Sequence, residues 1–443
     1  MLATQNGVTV RHELLERVAD ARRRSDTLFD LVRTGALYER PIPERHRIIF
    51  YVGHLEAFDW NLLHECILGL KSFRPEFDRL FAFGIDPVGG GLPNDQPSDW
   101  PPLDAVHDYV TRIRAALDHK LADGVLENAQ RRDGSPVDTL LNVAIEHRLM
   151  HVETLAYMLH QLALDKKVRQ GVPQKLDNAP VVHRMVEVPA GMATLGLCRR
   201  AENFGWDNEY EAYTVDVPAF AIDQYKVTNR QYLEFMAARG YETPSLWSDE
   251  DWNWRTSRGI AHPVFWKKAD DHWLYRTMFD EVPLPLDWPV YVSHAEASAY
   301  ARWAGKSLPT EAEWHRAAYG TVGGRERMYP WGNQAPSARF GNFDFHRWDP
   351  TPVNAFPEGQ SASGVDDMLG NGWEWTSTVF APFPGFEPFP FYRGYSADFF
   401  DGKHFVMKGG SARTAACMLR PSFRNWFQAH YQYVYVGFRC VSH

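Results

Sequence analysis

Two histidines in the segment Glu146-His147-Arg148-Leu149-Met150-His151 have the spacing and the side-chain chemistry of metal ligands. Four residues turn an α-helix by about 400° and raise it by about 6 Å, so both imidazoles lie on one helical face. Apolar residues on either side recur at helical spacing, which predicts a helix here. A metal ion needs a further ligand, and the alternative is a pair of ordinary, partly buried histidines.

His54 is the best candidate for the third ligand, because it lies among apolar residues in the middle of another predicted helix. His64 and His160 are poorer candidates, since their spacing rotates each of them away from the ligand face of its own helix. Three neutral imidazoles leave coordination positions open on a divalent cation, as a catalytic site requires. On this ground zinc and iron both remain candidates.

The elements that must position these histidines are amphipathic helices in the first part of the chain. Four such helices are predicted, at residues 10–32, 43–70, 103–121 and 136–164. Helices of this length favour a bundle, whose facing side chains can build an interior metal site. A loop rich in Gly, Pro and Asp at residues 84–102 is long enough to be functional.

The helical pattern ends between Lys166 and His183, which predicts a boundary between a domain at residues 1–170 and one at residues 182–443. Beyond it, short β-like runs alternate with long segments rich in Gly, Pro, Trp and Asn. Strands are predicted at residues 185–188 and 220–223, and helices at residues 229–238 and 293–304. This sequence pattern predicts an α+β domain with little regular secondary structure.

The composition supports two well-formed cores, with 443 residues, 44% of them hydrophobic, and 16 Trp. A net charge of −9 without a long basic run argues against a nucleic-acid partner. The four Cys lie far apart and are interpreted as reduced thiols. The N-terminal residues lack the pattern of a signal peptide, and no apolar run approaches membrane length. We therefore expect a cytoplasmic protein without a membrane partner.

Six runs in the second part occur in the order typical of the formylglycine-generating-enzyme-like (FGE-sulfatase) domain, which is distantly similar to C-type lectins. They are YKVTNRQYLEF (225–235), AYARWAGKSLPTEAEWHRAA (299–318), YPWG (329–332), LGNGWEWT (369–376), KGGS (408–411), and RNWF with GFRC (424–427 and 437–440). In the first part, HLEAFDWN (54–61) and HRLMH (147–151) resemble the DinB-like four-helix bundle. The resemblance thus implies an α+β chain in which a DinB-like bundle precedes a C-type-lectin-like domain.

This combination of domains is similar to the ergothioneine sulfoxide synthases and their relatives, the ovothiol and selenoneine synthases, which are mononuclear non-heme iron enzymes. The resemblance implies that His54, His147 and His151 hold Fe(II), the same three residues that the helical spacing selects. It also implies oxidative bond formation, with dioxygen, between a chalcogen and the imidazole carbon of hercynine that lies between the two ring nitrogens.

The same resemblance assigns roles to residues of the second domain. Asn425 and Trp426 match the amide and the aromatic residue with which the family binds its histidine-derived substrate. An indole face attracts a trimethylated ammonium group, which loses its water at little cost. The proton-donating tyrosine of the family comes from a YxxY segment, so that Tyr392 and Tyr395 are both candidates.

Two positions depart from the best-known ergothioneine synthases and bear on the sulfur or selenium donor. Met150 stands where a Gln precedes the third iron ligand, and Phe427 stands where an Asp follows the Asn-Trp pair and helps to hold an amino-acid donor. We therefore predict a selenosugar or a small thiol as the donor, in selenoneine or ergothioneine biosynthesis. The alternative is an ordinary ergothioneine sulfoxide synthase that uses γ-glutamylcysteine or cysteine.

Three other functions are alternatives. A formylglycine-generating enzyme needs two catalytic cysteines close together near the C-terminus, whereas Cys417 and Cys440 are 23 residues apart. A zinc-dependent thiol transferase of the DinB-like type differs in the metal that supports activity. A non-enzymatic lectin-like binding module leaves the three histidines unexplained. Structural calcium in the second domain is compatible with the sequence, although no ligand loop for it is evident.

Overall fold

The computed structural model describes residues 2–82, 92–122, 130–131, 133–171, 180–200 and 203–443. Residues 84–91 of the predicted loop and residues 172–179 of the predicted boundary lie outside the described residues. The chain divides into two compact units, Met1–Gly171 and Val172–His443. The first unit is helical and the second combines strands with helices, which confirms the predicted α+β class. Within the described ranges, no helix is both long and apolar enough to cross a membrane.

The first unit is built from four long helices and one short one. They are α1 (Leu2–Phe29), α2 (Ile48–Leu63), α3 (Pro75–Leu80), α4 (Leu103–Ala122) and α5 (Val137–Gln161). Helix α1 packs against α5, and α2 packs against both α4 and α5. Most side chains of α5 are buried on all sides, as expected for the central helix of a bundle. Helices α2 and α5 are the two that carry the histidines.

Helix α2 is shorter than the predicted segment at residues 43–70, so the prediction was wrong at both ends. Residues 43–47 form a turn ahead of Ile48. At the other end, the amide of Leu68 donates to the carbonyl of Leu63 at 3.1 Å, and Gly69 follows with a φ of 62°. A left-handed residue of this kind ends a helix, and glycine adopts it without steric cost.

The second unit contains twelve short strands and four helices among its described residues. The helices are α6 (Asn229–Ala237), α7 (Asp249–Arg258), α8 (His294–Trp303) and α9 (Glu311–Tyr319). The strands are β1 (Met185–Val188), β2 (Gly191–Leu195), β3 (Tyr213–Val217), β4 (Phe220–Asp223), β5 (Trp266–Ala269), β6 (His272–Arg276), β7 (Glu281–Pro283), β8 (Trp373–Val379), β9 (His404–Lys408), β10 (Asn425–Gln428), β11 (Val436–Gly437) and β12 (Val441–Ser442). Strands β1 and β4 occupy the predicted residues.

These strands form four small sheets with the orders β1-β4-β12, β10-β9-β8-β11, β2-β3 and β5-β6-β7. Strand β10 pairs antiparallel with β9, so that Asn425, Trp426 and Phe427 lie opposite Met407, Val406 and Phe405. The sheets are short and the segments between them are long. The positions of side chains in this unit therefore depend on contacts between loops more than on a regular lattice of strands.

Several residues of the motifs that carry the family resemblance form a buried ionic cluster in the core of the second unit. Arg439 donates to both oxygens of the Glu374 carboxylate, at 2.6 Å from Nε and 2.8 Å from Nη2. The Lys226 ammonium lies 3.3 Å from the same carboxylate. All three side chains are fully buried. Buried charges persist when they are paired in this way, and we assign these motif residues to the fold rather than to chemistry.

Candidate metal centre and aromatic site

The three predicted histidines come together inside the first unit. Nε2 of His151 lies 3.2 Å from Nε2 of His54 and 3.1 Å from Nε2 of His147. The ligand atoms of all three lie within 4.8 Å of one another. The residues are only 4–5% exposed. Two nitrogens bound about 2.1 Å from one cation would lie roughly 3.0–3.4 Å apart at ordinary coordination angles, so the cluster fits a metal ion.

Neighbouring groups fix the orientation of these rings. Nδ1 of His54 lies 2.7 Å from the carbonyl oxygen of Phe81. A carbonyl only accepts, so Nδ1 carries the proton and Nε2 presents a lone pair towards the other histidines. The ring of Phe58 stacks on His147 with centroids 3.4 Å apart, and Phe50 stacks on His54 at 4.7 Å. Because Phe50, His54 and Phe58 are four residues apart, one face of α2 supplies a ligand and both aromatic supports.

The electrostatic environment keeps the three imidazoles neutral. Burial lowers the pKa of His54 to about 4. Burial, followed by the neighbouring imidazoles, lowers the pKa of His147 and of His151 well below the usual value. Nδ1 of His147 and Nδ1 of His151 find no hydrogen-bond acceptor among the described residues. Metal binding requires the neutral form of histidine, so the lone pairs are available at neutral pH.

A buried guanidinium ties the two ligand-bearing helices together. Arg148, which follows His147 on α5, donates to Glu56 at 2.9 Å, to Asp59 at 2.7 Å and to the Leu55 carbonyl at 3.0 Å, all on α2. Burial by itself would raise the pKa of Glu56, but Arg148 and two further arginines outweigh it and lower this pKa to about 2. The sequence prediction missed these three contacts. Its signal is a basic residue within a helix that is otherwise buried on all sides.

Met150, which precedes His151 on α5, is half-buried, whereas the three histidines are buried. Its carbonyl accepts a hydrogen bond from the Thr154 hydroxyl at 3.1 Å, as is common one helical turn apart. Met150 is therefore adjacent to His151 along the helix, but it is more exposed than the histidines. Its predicted role beside the donor stays a prediction.

In the second unit, the structure brings Trp426 and Tyr395 together. The Trp426 indole stacks on Phe380 with centroids 4.2 Å apart and planes 7° from parallel. Tyr395 meets Trp426 edge-on at 5.5 Å, and its own ring stacks on Trp206 at 4.0 Å. Tyr392 lies 5.4 Å from Tyr395, ring to ring. Both tyrosines and Trp426 are half-buried, so they combine fixed packing with access from outside.

The other two predicted residues of β10 differ in their surroundings. Asn425 turns its side-chain oxygen to the amide of Trp426 at 2.8 Å. Phe427 stacks on Tyr431 with centroids 5.0 Å apart and planes 20° from parallel. Both side chains are half-buried. The position at which the family resemblance predicts an acidic residue is therefore part of an aromatic pair in this chain.

Charged residues of the KGGS and RNWF motifs hold the segment that leads into β10. Lys408 donates to the carbonyls of Pro421 and Phe423 at 2.9 and 2.7 Å. Arg424 donates to Glu311 at 3.0 Å. Burial lowers the pKa of Lys408 to about 8. Lys408 and Arg424 therefore fix the segment that leads to Asn425 and Trp426.

The cysteines do not form the pair that a formylglycine-generating enzyme needs. Cys440 is buried, and burial raises the pKa of its thiol well above the ordinary range. A buried, protonated thiol is a poor nucleophile and a poor ligand. Cys417 is half-buried and lies in another turn of the chain. These environments argue against the formylglycine-generating function.

Comparisons with known proteins agree with the sequence motifs. Residues 170–443 match the model of the Sulfatase-modifying factor enzyme 1-like domain. The chain is 39% identical to a hercynine oxygenase of Mycolicibacterium smegmatis, over 92% of this chain and 95% of that protein. It is 40% identical to a hercynine oxygenase of Mycolicibacterium thermoresistibile, over 98% of this chain and 96% of that protein.

A more distant relative is ergothioneine biosynthesis protein 1 of Neurospora crassa, which is 30% identical over 91% of this chain and 55% of that protein. These matches confirm the family predicted from the motifs. The chain belongs to the family of the hercynine oxygenases and ergothioneine biosynthesis proteins, and residues 170–443 are its Sulfatase-modifying factor enzyme 1-like domain.

Proposed function

We propose that this protein binds one Fe(II) through His54, His147 and His151 and joins sulfur or selenium to the imidazole carbon of hercynine that lies between the ring nitrogens. The observation that carries this proposal is the convergence of three buried, neutral imidazoles on one point. The names of the two hercynine oxygenases support hercynine as the substrate and dioxygen as the oxidant. Iron, when bound, supplies open coordination positions and the redox chemistry that couples bond formation to dioxygen reduction.

The residues of the first unit hold and shield this centre. The Phe81 carbonyl fixes the His54 tautomer, and Phe58 covers one face of the His147 ring. Aromatic packing of this kind limits access of water and lowers the local dielectric constant, which strengthens the interactions of the ligands with a cation. Arg148 keeps α2 at a fixed distance from α5, and thereby His54 at a fixed distance from the other two histidines.

The residues of the second unit recognise hercynine in this proposal. Its trimethylammonium group is a soft cation that suits the half-buried indole of Trp426 and the neighbouring ring of Tyr395. Asn425, on the same strand, offers an amide for the carboxylate or the imidazole of the substrate. Tyr392 or Tyr395 donates a proton from its hydroxyl as dioxygen is reduced, which limits wasteful oxidation of the donor. Histidine lacks the three methyl groups and should be a much poorer substrate.

The donor in this proposal is a selenosugar or a small thiol. Phe427 stacks on Tyr431 and offers no charge to a donor ammonium group. An ammonium left without a partner in a partly buried site costs about 1–3 kcal/mol. A selenol is ionised at neutral pH and is a soft ligand, which favours selenium. The second candidate is the ordinary sulfoxide synthase with γ-glutamylcysteine or cysteine, favoured by the similarity to the hercynine oxygenases over nearly their whole length.

One reconstitution experiment tests the function, the metal and the donor together. The protein is loaded with Fe(II) without oxygen, then given dioxygen, hercynine and one donor at a time: cysteine, γ-glutamylcysteine or a selenosugar. Mass spectrometry should detect a hercynine derivative with sulfur or selenium on the ring carbon. The His147→Ala variant is the negative control. Activity with zinc instead of iron would support a zinc thiol transferase, and no product with any donor would overturn the proposal.

A further inference from the structure

Four consecutive side chains in the second unit connect two segments that are distant in the sequence. Trp206, Asp207, Asn208 and Glu209 form a tight turn, and their exposed fractions are 0%, 0%, 1% and 0%. None of them belongs to the metal centre. We name residues 206–209 the WDNE turn. Its contacts lead to the segment that contains the two tyrosines and to the segment that enters β10.

The first set of contacts reaches the tyrosine segment. The Trp206 indole stacks on the Tyr395 ring with centroids 4.0 Å apart. The next residue, Ser396, is fully buried, and its hydroxyl donates to the Asp207 carboxylate. The Asn208 amide donates to the same hydroxyl oxygen at 3.0 Å. The Ser396 hydroxyl is therefore held as a donor and as an acceptor, which fixes the backbone directly after Tyr395.

The second set of contacts reaches the entry to β10. The Glu209 carboxylate accepts from Arg420 at 2.5 and 2.8 Å and from the Ser422 hydroxyl at 2.6 Å. A bidentate pair between arginine and a carboxylate has a defined geometry as well as a defined distance. Ser422 is three residues before Asn425 and four before Trp426. Glu209 thus holds the strand that carries the proposed hercynine-binding residues.

The two sets of contacts are coupled within the turn. The Glu209 carboxylate also accepts from the backbone amide of Trp206 at 2.8 Å, which closes the turn on itself. Tyr395 and Trp426, one from each of the connected segments, meet edge-on at 5.5 Å. A displacement of the turn would therefore change the position of the tyrosine relative to the indole.

The burial of charged and polar groups in the WDNE turn indicates that the turn positions other residues and does more than fill the core. Two carboxylates are fully buried there, although apolar side chains would fill the space at a lower desolvation cost. The amide oxygen of Asn208 has no hydrogen-bond partner among the described residues. Buried polar groups that are incompletely satisfied destabilise a fold, and they persist where a unique geometry is needed.

We propose that the WDNE turn is a positioning element for the reaction, which sets the tyrosine segment against the hercynine-binding strand. Asp207 and Asn208 act through Ser396 on Tyr392 and Tyr395, and Glu209 acts through Arg420 and Ser422 on Asn425 and Trp426. This inference rests on the proposed function, because it uses the roles assigned there to the tyrosines and to β10. It assigns a different kinetic effect to each set of contacts.

Two matched variants test the two sets of contacts separately. Ser396→Ala and Ser422→Ala each remove one hydroxyl from a buried serine held by the turn. Ser396→Ala should lower kcat with hercynine by about tenfold with little change in KM, because small misplacements of a reacting group are costly. It should also raise the fraction of donor that is oxidised without product. Ser422→Ala should raise KM for hercynine by about tenfold, as expected for loss of a charge-assisted hydrogen bond that orients a binding residue.

A second pair of variants separates positioning from a general loss of stability. Asp207→Ala should reproduce the kinetic effect of Ser396→Ala, and the double variant should be no worse than either single variant, because both remove the same contact. Asp207→Asn keeps an acceptor for the Ser396 hydroxyl and should restore more of kcat than Asp207→Ala. Ser361→Ala, which removes a buried hydroxyl that accepts from the Val365 amide in the same unit, is the matched control.

Amide hydrogen exchange gives a readout that does not depend on hercynine. Ser396→Ala should raise exchange at residues 392–399, and Ser422→Ala should raise it at residues 421–428, while Ser361→Ala changes neither. Unchanged exchange in both segments would overturn the inference, whatever the turnover. Changed exchange with parent-like kcat and KM would also overturn it, since the turn would then serve the fold alone. If the exchange pattern holds but the parent does not turn over hercynine, the proposed function fails and the positioning of the two segments stands.

Discussion

The metal cluster of the first unit and the aromatic site of the second are assembled in different ways. His54, His147 and His151 lie on two regular helices, and the spacing of four residues on α5 places two of them side by side. Trp206, Tyr395 and Trp426 come from three segments separated by long irregular stretches. In the first unit, the geometry follows from local periodicity. In the second, it follows from contacts that no local pattern determines.

The two sites also differ in what secures them. One guanidinium, that of Arg148, ties α2 to α5 beside the histidines, because each helix already fixes its own backbone. The aromatic site is held by several sets of side-chain contacts, namely those of the WDNE turn, Lys408 and Arg424. They are needed because its loops lack regular backbone hydrogen bonds. In the regular first unit, few mutations should therefore have large effects on the site. In the irregular second unit, the same effect should be distributed over more residues.

The largest expected effect is the loss of iron binding when a ligand is removed from the first unit. His54→Ala, His147→Ala or His151→Ala should each weaken iron binding at least about 100-fold, more than the loss of a residue that only supports a ligand. Iron per chain, measured after dialysis against a weak chelator, checks this expectation. His64→Ala, at the end of α2, is the matched control and should bind iron as the parent does. If the triple variant kept one iron per chain, the assignment would be wrong.

The next effect tests the contacts that Arg148 makes between α5 and α2. Arg148→Met leaves Asp59 buried without its partner, while Glu56 keeps its contacts with Arg114 and Arg22. The loss of the Asp59 partner should destabilise the protein by about 3–5 kcal/mol. The free energy of unfolding, from denaturant titration followed by far-UV circular dichroism, checks this magnitude. Adding Asp59→Asn to Arg148→Met removes the unpaired charge and should recover part of the loss. A change below about 1 kcal/mol for Arg148→Met would show that the tie is dispensable.

The same contrast explains how much the sequence could predict. The helices at residues 103–121 and 136–164 were placed within a few residues of α4 and α5, and the three histidines were named from spacing together with family resemblance. Apolar periodicity is a strong signal in a long helix. The C-terminal end of α2 was missed because the chain continues beyond Leu63 in turns at residues 64–68, which the left-handed Gly69 closes.

Two helices of the second unit were missed although their signals are present. Helix α7 follows Ser248, whose hydroxyl accepts from the Asp251 amide, and three acidic residues occupy its first turn. Helix α9 begins after Thr310 with a capping box completed by Glu313. Helix α7 buries none of its residues and therefore has no apolar face to show helical periodicity. No comparable local pattern predicts the WDNE turn, because Ser396, which Asp207 and Asn208 contact, is almost 200 residues away in the chain.

A smaller effect, with a defined pH dependence, tests the second unit. Burial raises the pKa of Asp207 to about 6, above the value near 3.9 of an unfolded chain. The folded state therefore binds this proton more tightly than the unfolded state does. Above pH 6 the charged carboxylate destabilises the folded state, and this destabilisation disappears as the pH falls from 6 to 4. Asp207→Asn carries no charge at either pH. It should be more stable than the parent at pH 7.5, by up to about 3 kcal/mol, and much less so at pH 4.5.

Tryptophan fluorescence during thermal unfolding measures this difference, because all Trp except Trp60 and Trp100 lie in the second unit. Asp216→Asn removes an exposed carboxylate from β3 and is the matched control. An equal stability difference for Asp207→Asn at pH 7.5 and pH 4.5 would contradict the buried-carboxylate argument. The metal centre should be unaffected by either variant, so iron content serves as an internal standard.

The smallest effect concerns the donor, where one side chain of the aromatic site departs from its relatives. Phe427→Asp replaces an aromatic partner of Tyr431 by a carboxylate on a half-buried strand. The new carboxylate can pair with the ammonium group of an amino-acid donor, a contact worth about 1–3 kcal/mol, so kcat/KM for γ-glutamylcysteine should rise by roughly tenfold. The variant should lose preference for a selenosugar, which has no ammonium group to pair. Phe427→Asn has a similar size without the charge and should give little of this gain. If the parent already uses γ-glutamylcysteine faster than any selenol, position 427 does not select the donor, and the protein is an ordinary ergothioneine sulfoxide synthase.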